Sequence, residues 1–324
     1  MDQKIVGMIS SYQGLDPAPT DWLWKQTPHP FGNWGRAQML AQSTQPNFLL
    51  MYQFNFSQKQ SPQKSWLSQF YKQQKQKSSN LTEVSCHLRG VPQERIVYLL
   101  REPPLEEVVE KHKATYKTAQ KYCGYVSGPD DFAPHPDYMP AIWYHSNSFA
   151  ELNEMEPPQK VSMCSWITSG ISRTENHRKR LEFLNLLQEN EVKFDLYGRN
   201  LPIATQSRGE LSNKWYGMAP YYYNLAIENY VDNDWYVSEK LWDSLLAWCL
   251  PIYYGGSAAD KLLPPGSFLR LPSFDEKGLA YIQDVTSSPD AWHAAKAAIA
   301  EARQVILHKL NLLNWLSDFV AKYK

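Results

Sequence analysis

Residues 220–256 read PYYYNLAIENYVDNDWYVSEKLWDSLLAWCLPIYYGG, and this stretch decides the fold. The aromatic, apolar run at 221–227 predicts a buried strand that ends at a polar Glu–Asn pair. A turn-rich spacer follows, a helical pattern then runs from Ser238 to just before Pro251, and a second apolar run ends at two glycines. The polar residues collect where the first strand stops and the helix begins. Ligands bind at that corner of an open α/β sheet, and a helix N-terminus favours phosphate.

The same alternation of strands and helices extends over the rest of the chain. Apolar runs predict strands at 4–12, 48–56, 95–100, 161–168, 193–197 and 267–271. Helical patterns lie at 34–41, 59–77, 174–188 and 289–324. A polar segment at 151–160, with two consecutive prolines, is typical of an interdomain linker. We therefore expect an α/β protein of two units, residues 1–155 and 156–324, that face a cleft and end in C-terminal helices.

Composition narrows the class of protein. The chain has 324 residues, 33 basic and 33 acidic, with a sequence pI of about 7.1. This balance argues against a general binder of nucleic acid or membrane surfaces. Four scattered cysteines without a CxxC pair suggest reduced thiols in a cytosolic protein. With neither a signal peptide nor a membrane-spanning run in the sequence, we expect a soluble, cytoplasmic protein, and peripheral association with a membrane stays open.

Four residues around the predicted helix start are candidates for ligand contact. Lys240 opposes the helix macrodipole there, which makes sense if an anion is bound beside it. The alternative is that Lys240 points to solvent. Ser238 could cap the helix or touch a ligand. Asn229 could bind a ligand or close the turn, and Tyr236 could pack or touch a ligand.

Two candidates lie elsewhere. The run HRKR at 177–180 could clamp phosphate or be a basic surface turn. Glu102 follows the strand at 95–100 and precedes two prolines, so it could accept a proton from a sugar hydroxyl or pair with an arginine. The eight histidines show no metal-ligand spacing, so no metal site is expected, and His29, His135 and His145 are further candidates for acid/base chemistry.

The order of several motifs resembles the α-1,3/α-1,4-fucosyltransferase family, whose pattern is approximately FxLxFEN…DYVTEK…PxxxG. The matching segments are LAIEN at 225–229, YVSEKLW at 236–242, PIYYG at 251–255, DLYG at 195–198 and PGSF at 265–268. The resemblance covers residues 161–285 and is weak before residue 150.

The resemblance implies a GT-B architecture of two Rossmann-like domains, the first holding the acceptor and the second GDP-fucose. It implies an inverting transfer to a glycan that contains N-acetylglucosamine or glucose, with no required cofactor and a divalent metal at most stimulatory. Glu102 would be the general base, although Arg-Glu-Pro here replaces the commoner Glu-Ser-Pro. The implied donor-binding residues are Arg180, Asn229, Tyr236, Val237, Ser238, Glu239 and Lys240.

Two departures from the family pattern keep alternatives open. Ser238 replaces the usual threonine and keeps the hydroxyl, whereas Tyr222 replaces a common lysine near the donor strand. The alternatives are the same fold with another GDP-sugar, and a catalytically silent carbohydrate- or nucleotide-binding protein.

Overall fold

The computed structural model describes residues 3–11, 21–56, 84 and 87–323. The predicted helix at 59–77 and Cys86 lie outside these residues. The described strands form two sheets, one of seven and one of five strands, in which all neighbours but one run parallel. The predicted α/β class is confirmed.

The first sheet has the order β2-β3-β1-β4-β5-β6-β7. Its strands are β1 Lys4–Ser10, β2 Asn33–Trp34, β3 Ala37–Met39, β4 Phe48–Tyr52, β5 Ile96–Leu99, β6 Tyr125–Gly128 and β7 His135–Pro136. The second sheet has the order β12-β11-β10-β8-β9. Its strands are β8 Ser162–Ile167, β9 Asp195–Tyr197, β10 Tyr221–Ile227, β11 Leu250–Tyr254 and β12 Leu269–Arg270.

Helices cover both sheets. The described α-helices are α1 Asp21–Trp24, α2 Val109–Ala119, α3 Phe149–Glu154, α4 Glu175–Glu189, α5 Glu239–Leu246, α6 Ala258–Leu262, α7 Glu276–Val285, α8 Asp290–Gln304 and α9 Leu312–Ala321. Short 3-10 helices lie at Pro30–Gly32, Gln93–Arg95, Glu106–Val108, Ile203–Thr205 and Lys214–Gly217, and a π-helix at Val305–Leu310 joins α8 to α9.

The helix predicted at 34–41 is wrong. This segment forms β2 and β3, an antiparallel pair in which Trp34 lies opposite Ala37. Gly35 adopts a left-handed φ of 54° between them, which suits a two-residue hairpin turn and not a helix. β3 then pairs in parallel with β1, so tertiary pairing outweighs the local pattern.

Strand β4 shows how the first sheet is buried on both faces. Phe48 and Leu50 pack with residues of α9 such as Leu316, whereas Leu49 and Met51 pack on the opposite side. Alternate side chains of a strand point to opposite faces, which explains a run that is apolar at every position.

The last helix therefore crosses from the second unit to the first. The turn before it is fixed where the Ala141 amide donates to the Leu310 carbonyl at 2.6 Å and the Leu312 amide donates to the Ala141 carbonyl at 3.0 Å. The buried Asn311 side chain donates to the Gln26 carbonyl at 2.8 Å. The division at residue 155/156 remains a prediction, with the addition that α9 belongs by packing to the first sheet.

Candidate active site

A cavity of about 680 Å³ lies beside the carboxyl ends of β8 and β10 and the first residues of α5. Four of the predicted donor-binding residues line it: Arg180, Asn229, Glu239 and Lys240. Other polar side chains along its wall are Lys25, Gln26, His145, Arg199, Glu210, Lys214, Asn224 and Asp243. The strand–loop–helix segment at 220–256, where the sequence predicts a ligand site, thus forms part of the wall of this cavity.

Arg180 and Asn229 are joined in this cavity although they come from different elements. Thr174 caps α4 with its side chain, and Arg180 lies six residues along that helix with only 3% of its surface exposed. Its guanidinium donates to the Asn229 side-chain oxygen at 2.7 Å and to the Ser169 carbonyl at 2.8 Å. Burial lowers the pKa of Arg180 to about 10, so it stays charged at neutral pH. Of the HRKR run at 177–180, Arg180 is the residue that lines the cavity, so the phosphate-clamp interpretation applies to Arg180.

Lys240 is held by an anion of the protein itself. Its Nζ donates to the Glu228 carboxylate at 3.2 Å and to the Ser238 hydroxyl at 3.1 Å. Glu228 is fully buried and also accepts from the Ser238 amide at 2.8 Å and the Ser238 hydroxyl at 2.6 Å. Burial works against the charge on Lys240, but Glu228 and Glu239 outweigh it and raise the Lys240 pKa. The expectation that a cation here calls for a neighbouring anion is met in part by Glu228.

Ser238 is the N-cap of α5, where its hydroxyl accepts from the Lys240 amide. The capping interpretation is thus confirmed. Ser238 and Val237 do not line the large cavity but a second, very small one beside it. Tyr236 is buried against Tyr230 and lines neither, so three of the predicted donor contacts lie behind the wall of the cavity.

Glu239 lies in a group of alternating charges. It pairs with Arg101 and, at 3.6 Å, with Lys214, whose Nζ also contacts Asp243 at 3.2 Å. Burial opposes ionisation of Glu239, yet Lys240, Arg101 and Lys214 together hold its pKa well below the usual range. Asp243 is more deeply buried, and this raises its pKa to about 6 despite Lys214.

Glu102 lies just after β5 in the first sheet and does not line the large cavity. Its amide donates to the Gln53 side-chain oxygen at 3.3 Å. Within the described residues its carboxylate makes no hydrogen bond or ion pair, and it is close enough to Tyr236 to raise the pKa of that phenol together with burial and Glu228. Among the described residues, the Glu102 carboxylate therefore lies near Tyr236, which precedes α5, and has no charged or hydrogen-bonding partner.

Several residues of the site were missed by sequence reasoning. Asp243 follows Glu239 by four residues on one helix face, a spacing that could have revealed it. Lys214 begins the short 3-10 helix at Lys214–Gly217, and no sequence signal marked it. Of the histidines that the sequence offers as acid/base candidates, His145 lines the cavity, whereas His29 and His135 do not. His145 is 8% exposed, neither ring nitrogen has a hydrogen-bond partner in the described part of the chain, and burial lowers its pKa to about 3.

The described residues contain no group of three or more histidine, cysteine, aspartate or glutamate side chains that could hold a metal ion. They also include no helix long and apolar enough to cross a membrane.

Comparisons with known proteins agree with this geometry. Residues 157–294 match glycosyltransferase family 10 (fucosyltransferase), C-terminal domain. The chain is 33% identical to alpha-(1,3)-fucosyltransferase C of Drosophila melanogaster over 135 residues, which are 41% of this chain and 30% of that protein. It is 29% identical to 3-galactosyl-N-acetylglucosaminide 4-alpha-L-fucosyltransferase FUT3 of Homo sapiens, over 60% of this chain and 50% of that protein. The chain therefore spans half or less of the length of these two relatives.

The fold is that of a known glycosyltransferase structure. An alpha-glucosyltransferase solved with UDP and a 13-mer DNA aligns with 100% of both chains at a TM-score of 0.57 and 9% identity. An alpha1,3-fucosyltransferase structure aligns with 91% of this chain and 81% of its own, at a TM-score of 0.42 and 16% identity. The predicted GT-B architecture of two facing α/β units is confirmed. Residues 157–294, less than half of the chain, are thus similar to the C-terminal domain of glycosyltransferase family 10 (fucosyltransferase).

Proposed function

We propose that the chain is an inverting glycosyltransferase that moves L-fucose from GDP-fucose to a hydroxyl of a glycan containing N-acetylglucosamine or glucose, in α-1,3 linkage. One observation carries this proposal. Arg180, Asn229, Glu239 and Lys240 come from three separate segments and line one cavity, within a domain of the fucosyltransferase family.

The donor half would work through fixed charge. Arg180 and Lys240 supply two cations along the cavity wall, and both are held by hydrogen bonds before any ligand arrives. As the bond between the fucose anomeric carbon and the phosphate oxygen breaks, its electrons go to GDP. Preorganised cations stabilise this developing charge without reorganising. The ionised Glu239 carboxylate would accept hydrogen bonds from hydroxyls of the nucleotide sugar, and the Asn229 side-chain amide would donate to its oxygens.

The acceptor half would work through Glu102. Its carboxylate would take the proton of the acceptor hydroxyl while that oxygen forms the new bond to the anomeric carbon. Attack from the face opposite GDP inverts the configuration at that carbon. Support comes from the position of Glu102 at the end of β5 and from its carboxylate, which makes no hydrogen bond or ion pair to any described residue.

A second donor stays a candidate on the sequence pattern alone. Tyr222, which replaces a common family lysine, packs edge-on against Trp292 with ring centroids 5.4 Å apart and does not line the cavity. The structure therefore gives this substitution no part in selecting the sugar, and another GDP-sugar is the second candidate.

A turnover panel tests both candidates. Release of the nucleoside diphosphate would be measured with GDP-fucose, GDP-mannose and UDP-glucose (GDP from the first two, UDP from the third), each against lactose and N-acetyllactosamine, and the product configuration would be assigned by NMR. We expect GDP-fucose to react and the anomeric configuration to invert. Turnover with GDP-mannose alone would favour the second donor. GDP binding without any turnover would favour the silent binding protein.

A further inference from the structure

The Arg101 side chain connects the two units of the molecule. Its guanidinium pairs with Glu239 at the first turn of α5 and donates to the Tyr144 hydroxyl at 2.5 Å. It also lies over the Tyr144 ring, 4.9 Å from the centroid. The side chains of Arg101 and Glu239 are only 12% and 16% exposed. Among the described residues, no other ion pair joins an element of the first sheet to the second unit.

The backbone that carries Arg101 is fixed from the other side. Gln53, just after β4, accepts the Arg101 amide at 2.7 Å and the Glu102 amide at 3.3 Å with its side-chain oxygen. The backbone amide of Gln53 in turn donates to the Leu99 carbonyl at 2.8 Å. Gln53 has a φ of 51°, a left-handed conformation that is uncommon for a residue other than glycine. Such strain persists where surrounding contacts hold it and is frequent at functional sites.

Arg101 and Glu102 are consecutive, so the contacts of one limit the position of the other. The Arg101 side chain is attached to the donor helix, and its backbone is attached to the first sheet. A reacting group needs placement to within a fraction of an ångström, because misplacement by about 1 Å can cost roughly 100-fold in rate. Because Arg101 contacts both α5 and the first sheet, it can fix the position of Glu102 relative to α5.

We propose that Arg101 is a positioning residue: through Glu239 it holds Glu102 of the first sheet in register with the donor helix α5. The inference rests on the proposed function and names a residue outside the cationic donor wall.

Kinetics of matched variants test the inference. Arg101→Met removes the charge, Arg101→Lys keeps it, and Tyr144→Phe removes only the hydroxyl partner. Arg208→Met is the control, because it breaks an exposed arginine–carboxylate pair within the second unit, 2.7 Å to Asp195. For each we would measure kcat and both KM values with GDP-fucose and N-acetyllactosamine, the Kd for GDP, and Tm.

We expect Arg101→Met to lower kcat about 10- to 100-fold while the Kd for GDP changes less than about 3-fold, and Arg101→Lys to recover part of kcat. Tyr144→Phe should lower kcat by a smaller factor, and Arg208→Met should leave it unchanged. In a Glu239→Gln background the effect of Arg101→Met should shrink, because the contact through which Arg101 acts is already weakened.

Three results would overturn the inference: an unchanged kcat in Arg101→Met, equal losses in kcat and GDP affinity, or the same fold-loss with and without Glu239. A wild-type chain that neither binds GDP nor transfers fucose would refute the proposed function instead, and the inference with it.

Discussion

The two sides of the cleft are built in different ways. On the second unit, Asn229, Glu239 and Lys240 fall within twelve residues of sequence, and one strand–loop–helix segment brings them together. On the first unit, Glu102 follows β5 and its amide donates to Gln53, while the neighbouring Arg101 contacts Tyr144 and Glu239 of the second unit. A site that lies within one local motif can be read from sequence, whereas a site assembled from distant segments depends on the fold.

Lys240 of the second unit shows that a local motif can be recognised while the partners of its side chains are not. Lys240 at a helix start is unfavourable for the helix dipole, and the sequence alone suggested that a ligand anion explains it. The structure supplies the buried Glu228 as a permanent counter-charge. Lys240 is thus both a structural partner and a candidate for phosphate contact, and its substitution should affect both properties.

The first-unit side of the comparison is tested by Glu102→Gln, for which the largest effect is expected. Loss of the proposed general base should lower the transfer rate about 10²- to 10⁴-fold. The Kd for GDP should be unchanged, because Glu102 does not line the large cavity proposed to bind the donor. Steady-state kinetics and calorimetry provide the two measurements. Glu106→Gln, an exposed glutamate four residues on, is the control. Near-normal transfer in Glu102→Gln would move the base to another residue.

The second-unit side is tested by Lys240→Ala. Loss of a charge-assisted bond to phosphate should weaken GDP binding by about 1.5–3 kcal/mol. The unfolding free energy should also fall, by about 3 kcal/mol, because the buried Glu228 loses its cation. Titration calorimetry and urea denaturation measure the two effects.

Lys261→Ala is the matched control for this variant. It breaks an exposed pair with Asp234, 2.9 Å, and should change the unfolding free energy by less than about 1 kcal/mol. An unchanged Kd for GDP in Lys240→Ala would leave Lys240 with a structural role only.

Asn229→Ala tests the contact between Asn229 and Arg180, which lines the same cavity. It removes the oxygen that accepts from Arg180 at 2.7 Å, so the guanidinium keeps only carbonyl partners. The unfolding free energy should fall by about 1–2 kcal/mol. GDP affinity should fall with it, as seen by calorimetry. If Asn229→Ala left both quantities unchanged, the Arg180–Asn229 contact would have no part in the site.

The smallest expected effect is a pH dependence at Asp243. Its pKa of about 6 in the folded protein lies above the ordinary value of 3.8. The folded protein then binds a proton that the unfolded chain has lost, so this contribution to stability is present below pH 4 and is lost as pH rises towards 6.

Asp243→Asn removes this titration. The unfolding free energy of the variant, minus that of the wild type, should therefore rise between pH 4 and pH 6. Urea denaturation at pH 4, 5, 6 and 7 measures this difference. A difference that stays constant over this range would contradict the raised pKa.

Much of the second unit could be predicted from the sequence, and the reason is local. The strand at Tyr221–Ile227, the helix that starts at Glu239 and the Thr174-capped helix that carries Arg180 all follow period and capping signals. The motif order indicated the GT-B architecture. In the first unit, 34–41 appeared helical because its pattern does not reveal that β1 would pair with it.

The rest could not be predicted because it depends on long-range contacts. Lys214 reaches Asp243 from the short 3-10 helix at Lys214–Gly217, and α9 packs on the first sheet after the chain has completed the second. Tyr236 and Val237 lie in the matched motif, yet they are buried behind the cavity wall. A motif identifies which residues are near a site but not which side chains face it.

The central claim is that the cavity lined by Arg180, Asn229 and Lys240 binds the diphosphate of a GDP-sugar. Titration calorimetry of GDP into the wild type and into Arg180→Met tests this most directly. The account predicts one GDP bound per chain and a loss of about 1.5–3 kcal/mol of binding free energy in the variant, with Arg208→Met unchanged. Equal GDP affinity in all three proteins, or no GDP binding by the wild type, would contradict it.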